Sequence, residues 1–505
     1  TMRPNLLRFL PAVLALALPA TLVPAARGET ARLTVLATGD LHGALTAYDY
    51  GNDRPAAAGL ARIAGLVRAA RAAGPPVLLL DAGDAIQGGA LTDAYRRGDR
   101  ARPEPMTAAM TRLGYDAMAV GNHEFSVGPD ALARAREAAG FPWLAANVVR
   151  DDGSPAFGAS LVRELGGVRV GVVGLVTPAV PALEEAANVA GLRFLSPLET
   201  GNAEARRLRE AERCDLVIAL AHTGMERDPS SGVERQGDAP GENWGLRLSR
   251  ELEGVDLLVL GHTHGALVHG NPPAGPMVVQ AGHHGGMLGR VDLELVRAAP
   301  GEPWRLGTRS GQLTVLTDSV AVDAELEAFA APYHEAARAA LAERVGTAAR
   351  DIGSPAGLLA AGPLWDLIHA AQLEATGADV SLAALPDPDA VIPAGPVTRR
   401  DLLRIYPYEN TLAVVELTGD ELRRALERSA RAYAPYTFAD SRSLLEPGAA
   451  GHNLDGAHGV TYEVDLTRPA GERVVNLSWR GRPLEAEQRL RVAVNSYRLN
   501  GGGGF

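Results

Sequence analysis

The stretch Leu33-Thr34-Val35-Leu36-Ala37-Thr38-Gly39-Asp40-Leu41-His42 decides how the rest of the chain is read. Its first half is apolar and partly β-branched, the signature of a buried strand. Without a break it runs into a glycine followed by two side chains, Asp40 and His42, that can ligate a metal. The pattern recurs. Residues 77–80 run into Asp81-Ala82-Gly83-Asp84, and 117–120 into Gly121-Asn122-His123-Glu124. Residues 216–220 lead to Ala221-His222, and 257–260 to Gly261-His262-Thr263-His264. Open α/β sheets gather their ligands beyond the carboxyl ends of the strands. One such block would be an ordinary hydrogen-bonded loop; five in register imply a metal site.

Working outward, further apolar runs at 168–175, 277–281 and 288–295 extend the set of strands. Alanine- and arginine-rich segments at 60–73 and 129–139 have helical composition. Strands alternating with helices predict a layered α/β domain. A long helix is expected over 323–344, separating two differently patterned halves. The expected organisation is a leader at 1–28, a first domain at 29–320, a linking helix at 321–345 and a second domain at 346–505. The second half shows helical patterns at 363–376 and 419–432 and strand patterns at 459–466, 474–479 and 489–494. That composition predicts an α+β module, expected to be incomplete beyond Phe505.

Composition narrows the function classes. Lys+Arg number 49 against 60 Asp+Glu, a net charge of −11, and every one of those cations is arginine. An acidic chain lacks the basic footprint needed to bind duplex nucleic acid, although bound metal ions could still attract small anions. Met2, Arg3 and Arg8 precede an apolar run over 9–23 and the small residues Pro24-Ala25-Ala26-Arg27-Gly28. This is the pattern of a cleavable secretory signal, so a periplasmic or secreted protein with no membrane span after processing is expected. Cys214 is the only cysteine, which excludes an intrachain disulfide.

The ligand mixture constrains the ions. Imidazole nitrogens combined with carboxylate and amide oxygens suit manganese, zinc, iron or cobalt better than calcium. Seven candidate ligands are too many for one tetrahedral ion and suit two ions that share a carboxylate. Such a pair, roughly 3.5–4 Å apart, can activate water and clamp the oxygens of an in-line phosphoryl displacement. His123 directly follows a candidate ligand and is suited to protonate a leaving oxygen. Glu124 is read as structural, His283 and His284 as loop residues near the site.

In order and residue type the five blocks resemble the calcineurin-like metallophosphoesterases of the 5′-nucleotidase superfamily, over essentially the whole chain from Leu33. The resemblance implies a four-layer αββα dimetal domain followed by an α+β nucleoside-binding domain. It assigns Asp40, His42, Asp84 and His264 to one metal and Asp84, Asn122, His222 and His262 to the other, with Asp84 bridging. It makes His123 the catalytic histidine. In the second domain it places Tyr408 and Tyr497 as a base-stacking pair and Asn410 as a polar contact to the substrate.

Within that superfamily the segments Gly362-Pro363-Leu364-Trp365-Asp366, Tyr406-Pro407-Tyr408 and 495–505 resemble the 2′,3′-cyclic-nucleotide 2′-phosphodiesterase/3′-nucleotidase branch. The expected substrates are therefore 2′,3′-cyclic nucleotides and 3′-nucleotides. The alternatives are a 5′-nucleotidase or nucleotide-sugar hydrolase, a thiosulfohydrolase, and a non-catalytic nucleotide-binding surface protein. Three positions depart from the 5′-nucleotidase pattern. Residues 381–387 read Ser-Leu-Ala-Ala-Leu-Pro-Asp, without the arginine those enzymes use to hold substrate. Ser126 stands where a carboxylate would fix the histidine tautomer, and Gly503 where aspartate is usual.

Overall fold

The computed structural model describes residues 28–98, 100–229, 231–233, 241–270, 275–408, 410–436, 444–446 and 451–505. The expected leader lies outside them except for Gly28. Two six-stranded sheets form the N-terminal domain. One runs, in spatial order, Arg305–Val315, Met287–Arg297, Glu29–Thr38, Val77–Asp81, Ala117–Ala119 and Trp143–Leu144. The other runs Ala266–His269, Met277–Ala281, Leu257–Leu260, Leu216–His222, Val168–Val176 and Ser160–Leu165. The central strands of each are parallel. Both margins of the second sheet are antiparallel, but in the first only the Met287–Arg297 side is, Trp143–Leu144 pairing parallel at the other edge.

Strand periodicity explains the layering. Leu33, Val35, Leu78, Leu80, Ile218, Leu220, Leu257 and Val259 belong to one buried core between the two sheets. The alternate residues turn outward: Leu36, Leu79 and Met118 pack with Leu60, Ile63, Met106 and Met110 of the helices on one side. Val217, Ala219, Leu258 and Leu260 pack with Ala205, Leu208 and Leu248 on the other. Successive side chains on a strand point to opposite faces, so strands apolar on both faces demand cover on both. The result is the four-layer αββα arrangement.

The helix Ala324–Leu341 begins at Asp323, whose carboxylate accepts from Leu326 N at 3.0 Å. Its stripe Leu326, Ala330, Tyr333 and Ala337 is buried in the core of the N-terminal domain. It is therefore a packed member of the helical layer. The chain then enters the second unit directly, where Arg344–Ala348 pairs with Gly395–Thr398.

In the C-terminal α+β domain the strands Leu412–Thr418, Arg489–Asn495, Val380–Ala384 and Asp455–His458 form one sheet in that order. Val460–Val464, Val474–Trp479 and Arg482–Pro483 form a smaller one. The helices Pro363–Thr376 and Gly419–Ala430 flank them, the latter started by a Thr418/Glu421 capping box. Among the described residues no helix is long and apolar enough to cross a membrane.

Candidate metal centre and active site

Parallel pairing sets the strand ends level. Thr38 pairs with Asp81 in the first sheet, and Ala221 with Leu260 in the second. The loops that follow therefore converge at one edge of the sandwich. Their backbones are bent to do so: Asp40, His42, Asp84, His262 and His264 all have positive φ, between 45° and 74°. Non-glycine residues seldom adopt this region, and such conformations collect at functional sites.

Two groups of side chains result. Asp40, His42 and His264 offer ligand atoms within 4.8 Å of one another, and so do Asp84, His222 and His262. Asn122 joins the second group, its Oδ1 lying 3.1 Å from His222 Nε2. Asp84 Oδ2 faces both groups, 3.1 Å from His222 Nε2 and 3.9 Å from His42 Nε2.

Hydrogen-bond bookkeeping shows what these groups want. His222 Nδ1 lies 2.7 Å from the Ala82 carbonyl, which can only accept, so Nδ1 carries the proton. Nε2 then presents a lone pair to Asn122 Oδ1 and Asp84 Oδ2, acceptor against acceptor. His42 is fixed in the same way, with Nδ1 2.9 Å from the Gln87 carbonyl and its Nε2 lone pair turned to His264 Nε2 at 3.0 Å. Asp40 Oδ2 and Asp84 Oδ2 are buried without a hydrogen-bond partner. Buried acceptors left facing each other are costly unless a cation lies among them.

The electrostatics agree. Burial lowers His42 to about 3 and His264 to about 2, leaving both as neutral imidazoles able to ligate. At His222 burial acts in the same direction, but the charges of Asp84 and Asp40 outweigh it and raise the ring to about 10. In the absence of metal a second proton would relieve these acceptors; divalent ions would relieve both groups at once. The donor set of imidazoles, carboxylates and one amide fits two such ions.

The loops are held by groups of little intrinsic chemistry. Glu124, fully buried, accepts from the backbone N–H groups of Asp84 at 2.8 Å, Ala85 at 2.7 Å and Gly121 at 2.7 Å. Burial lifts its carboxyl to about 7. It stitches two ligand loops together, the structural role expected of it. Gly121 has no room for a side chain, since a Cβ there would sit 2.1 Å from Asp84 Oδ1.

His123 lies beside the first group, its ring 5.2 Å from that of His42 in an edge-on arrangement. Its backbone N–H donates to Asp84 Oδ1 at 2.8 Å. His283 stacks on His264 at 4.7 Å, and His284 is edge-on to His42 at 5.7 Å. Two carboxylates come as additions to the residues read from sequence. Glu242 Oε1 lies 2.9 Å from His262 Nε2. Glu184 accepts from Ser126 Oγ and hydrogen-bonds the Asn122 amide. Both follow strand ends of the second sheet at a distance along the chain, and neither lies in a motif that would single it out.

Comparison with known proteins agrees with this architecture. Residues 33–266 match the calcineurin-like phosphoesterase family and residues 344–505 the 5′-nucleotidase C-terminal domain family. The chain belongs to the calcineurin-like metallophosphoesterases of the 5′-nucleotidase superfamily. A trifunctional nucleotide phosphoesterase protein of Bacillus subtilis is 30% identical over 99% of this chain, which spans 38% of that protein's length. A 2′,3′-cyclic-nucleotide 2′-phosphodiesterase/3′-nucleotidase of Haemophilus influenzae is 29% identical, covering 96% of this chain and 83% of its own length. The solved structure of a 5′-nucleotidase precursor from Thermus thermophilus superposes with a TM-score of 0.68 at 28% identity, covering 94% and 91% of the two chains.

In this metallophosphoesterase the second-domain residues gather on two loops that are tied to each other. Ser496 N donates to the Thr411 carbonyl at 2.8 Å, and Thr411 N donates to Ser496 Oγ at 3.1 Å. Asn410 is used in the same tie, donating to Tyr406 Oη at 3.1 Å and accepting from Ser496 Oγ at 3.3 Å. Tyr408 is 46% exposed, and Tyr497 is near enough to raise its phenol beyond the effect of burial. The Tyr497 ring fills the space that a side chain at Gly502 would need. Buried Arg498 braces this loop through Asp455, at 2.7 and 2.8 Å, and the carbonyls of His452 and Gly502. Across the domain boundary, Thr411 Oγ1 donates to Glu185 Oε1 at 3.3 Å. The loop bearing Tyr408 thus touches the segment that carries Glu184.

Proposed function

We propose that this metallophosphoesterase opens 2′,3′-cyclic nucleotides to 3′-nucleotides and then removes the 3′-phosphate to leave the nucleoside. The observation that carries the proposal is the Thr411–Glu185 contact, which ties the half-exposed tyrosine loop to the neighbour of Glu184, itself bonded to the candidate ligand Asn122. A nucleoside base could stack between Tyr408 and Tyr497 while its phosphate reached the ligand groups; stacking of this kind contributes about 1–3 kcal/mol per base. Among curated relatives, those of Haemophilus influenzae, Salmonella typhimurium and Yersinia enterocolitica carry this bifunctional name.

Asp40, His42 and His264 would hold one divalent ion, and Asn122, His222 and His262 the other, with Asp84 between them. Bound there, the ions supply Lewis acidity and an activated water. The chain's own part is positional. Asp84 fixes the His123 backbone, and the ring of His123 stands ready to give a proton to the leaving ribose oxygen. The tyrosine loops orient the ribose.

A 5′-nucleotidase is the second possibility, and the solved Thermus thermophilus relative bears that name. Residues 381–387 weigh against it. They offer no arginine, and Ser381 is a buried strand residue bonded to His369 and Gln372. The test is phosphate release from 2′,3′-cyclic AMP, 3′-AMP and 5′-AMP with manganese, with and without chelator. Turnover of the first two that the chelator abolishes, with 5′-AMP slow, is expected. Fast 5′-AMP hydrolysis would overturn the substrate assignment. Failure on all three by a metal-loaded protein would favour a binding protein. We further propose export by the leader, which N-terminal sequencing of periplasmic protein would check.

A further inference from the structure

We propose that Ser126 and Glu184 form one positioning unit for His123, a hydroxyl and a remote carboxylate acting together where a single carboxylate would serve. The inference rests on the proposed phosphoester hydrolysis only for its kinetic readout. Ser126 lies three residues after His123 on the short helix His123–Ser126, so both side chains share one face. Its Oγ is 3.3 Å from His123 Nδ1 and 2.8 Å from each oxygen of Glu184.

Burial lifts Glu184 to about 8; divalent ions in the neighbouring clusters favour its ionised form, and to that form Ser126 gives its single hydroxyl proton. The lone pairs of Oγ are then what Nδ1 meets, so Nδ1 must carry the ring proton. His123 is thereby held in one tautomer, with Nε2 as the atom that exchanges a proton with the substrate.

Glu184 is buried, at 7% exposure, and burial works against its ionisation, so its charge depends on partners. Its partners here are Ser126 and the amide of Asn122. Glu184 closes the turn Val180–Leu183 beyond the Val168–Val176 strand, so it reaches His123 from the opposite sheet. The unit therefore couples the two sheets at Nδ1 of the ring whose Nε2 transfers the proton.

The experiment compares Ser126→Ala, Glu184→Gln, the double variant, and Glu184→Gln combined with Ser126→Asp, all in the full metal-loaded chain. Metal content is measured for each, together with kcat and KM on 2′,3′-cyclic AMP and on bis(p-nitrophenyl) phosphate. Ser126→Ala, which leaves the Glu184–Asn122 contact in place, is expected to lower kcat by about 10–100-fold at unchanged KM and metal content. The double variant should be no worse than the worse single one, and Ser126→Asp should restore rate to Glu184→Gln. Independently of turnover, nitrogen-15 spectra of histidine-labelled, zinc-loaded protein should show His123 protonated at Nδ1, and a mixture of tautomers in Ser126→Ala. Additive losses, an unchanged kcat in Ser126→Ala, or an unchanged His123 tautomer in that variant would overturn the unit. A wild-type protein that hydrolyses neither ester would overturn the proposed function, while the spectra would still decide the tautomer.

Discussion

His222 Nε2 and Asn122 Oδ1 face each other at 3.1 Å, two acceptors whenever the imidazole is neutral. Folding brings these acceptors together along with two buried, unpartnered carboxylate oxygens. The unfolded chain has no such arrangement, so an ion bound here stabilises only the folded state. At a free ion concentration one hundred times its Kd, that linkage amounts to about 2.7 kcal/mol. Manganese or zinc is therefore expected to raise the calorimetric unfolding midpoint, and a chelator to lower it. A midpoint indifferent to both would exclude a metal centre.

Gly121→Ala is expected to strip the protein of metal without abolishing its fold. The new Cβ would meet Asp84 at both Oδ1 and the backbone N, at 2.1 and 2.6 Å, and one of the two must move. Overpacking of this kind costs about 1–3 kcal/mol. Gly346→Ala, where a Cβ meets nothing within 4 Å, is the control. Elemental analysis beside circular dichroism would separate loss of metal from loss of structure. Full metal content in Gly121→Ala would mean that Asp84 is not a ligand.

The parts of the molecule legible in the sequence are those in which one residue pattern carries the signal unaided. Parallel strands such as Leu257–Leu260 are apolar on both faces and announce themselves, and the ligands sit immediately after them. Marginal strands are harder to see. Ser160–Leu165 and Arg305–Val315 lie at sheet edges with half their residues polar, because one side meets solvent. Glu184 and Glu242 escaped for a different reason. Each reaches the site from a loop distant in sequence: stacking of the two sheets brings Glu184 to the His123 helix, and pairing of two strands within the second sheet brings Glu242 to His262. The helix Ala324–Leu341 was legible as a helix, whereas its burial against the first domain depends on tertiary packing.

His123→Ala should lower kcat by about 10²–10⁴-fold, the usual contribution of a positioned acid or base, with KM and metal content little changed. His123 touches Asp84 through its backbone N–H, which alanine retains, so the ligand loop has no reason to collapse. Steady-state kinetics on 3′-AMP with parallel metal analysis would check this. A wild-type kcat would remove His123 from the mechanism.

Replacing Tyr408 and Tyr497 by alanine should raise KM for nucleotides while sparing bis(p-nitrophenyl) phosphate, which has no base to stack. With about 1–3 kcal/mol for each stacked ring, the expected rise is roughly 5- to 150-fold per tyrosine. The loops themselves should survive, since Ser496, Thr411, Asn410 and Tyr406 tie them without either ring. Equal losses on both substrates would show that the tyrosines support the fold and not the base.

Acid should weaken the C-terminal domain through His369, far from the metal ligands. This ring is 3% exposed, and its Nδ1 lies 2.8 Å from Ser381 Oγ. Ser381 donates its own proton to Gln372 Oε1 at 2.8 Å, so it accepts from His369, whose ring is neutral. Burial, reinforced by His458, lowers His369 to about 3, against 6.5 when unperturbed. Between these values the unfolded chain binds a proton that the folded chain refuses. The stability contributed above pH 6.5 is therefore lost as pH falls toward 3, at up to about 1.4 kcal/mol per pH unit. His369→Gln can keep the hydrogen bond to Ser381 and has nothing to titrate. Its unfolding midpoint should decline less steeply than that of wild type from pH 6.5 to 4.5, and parallel curves would show that His369 does not control the acid limit.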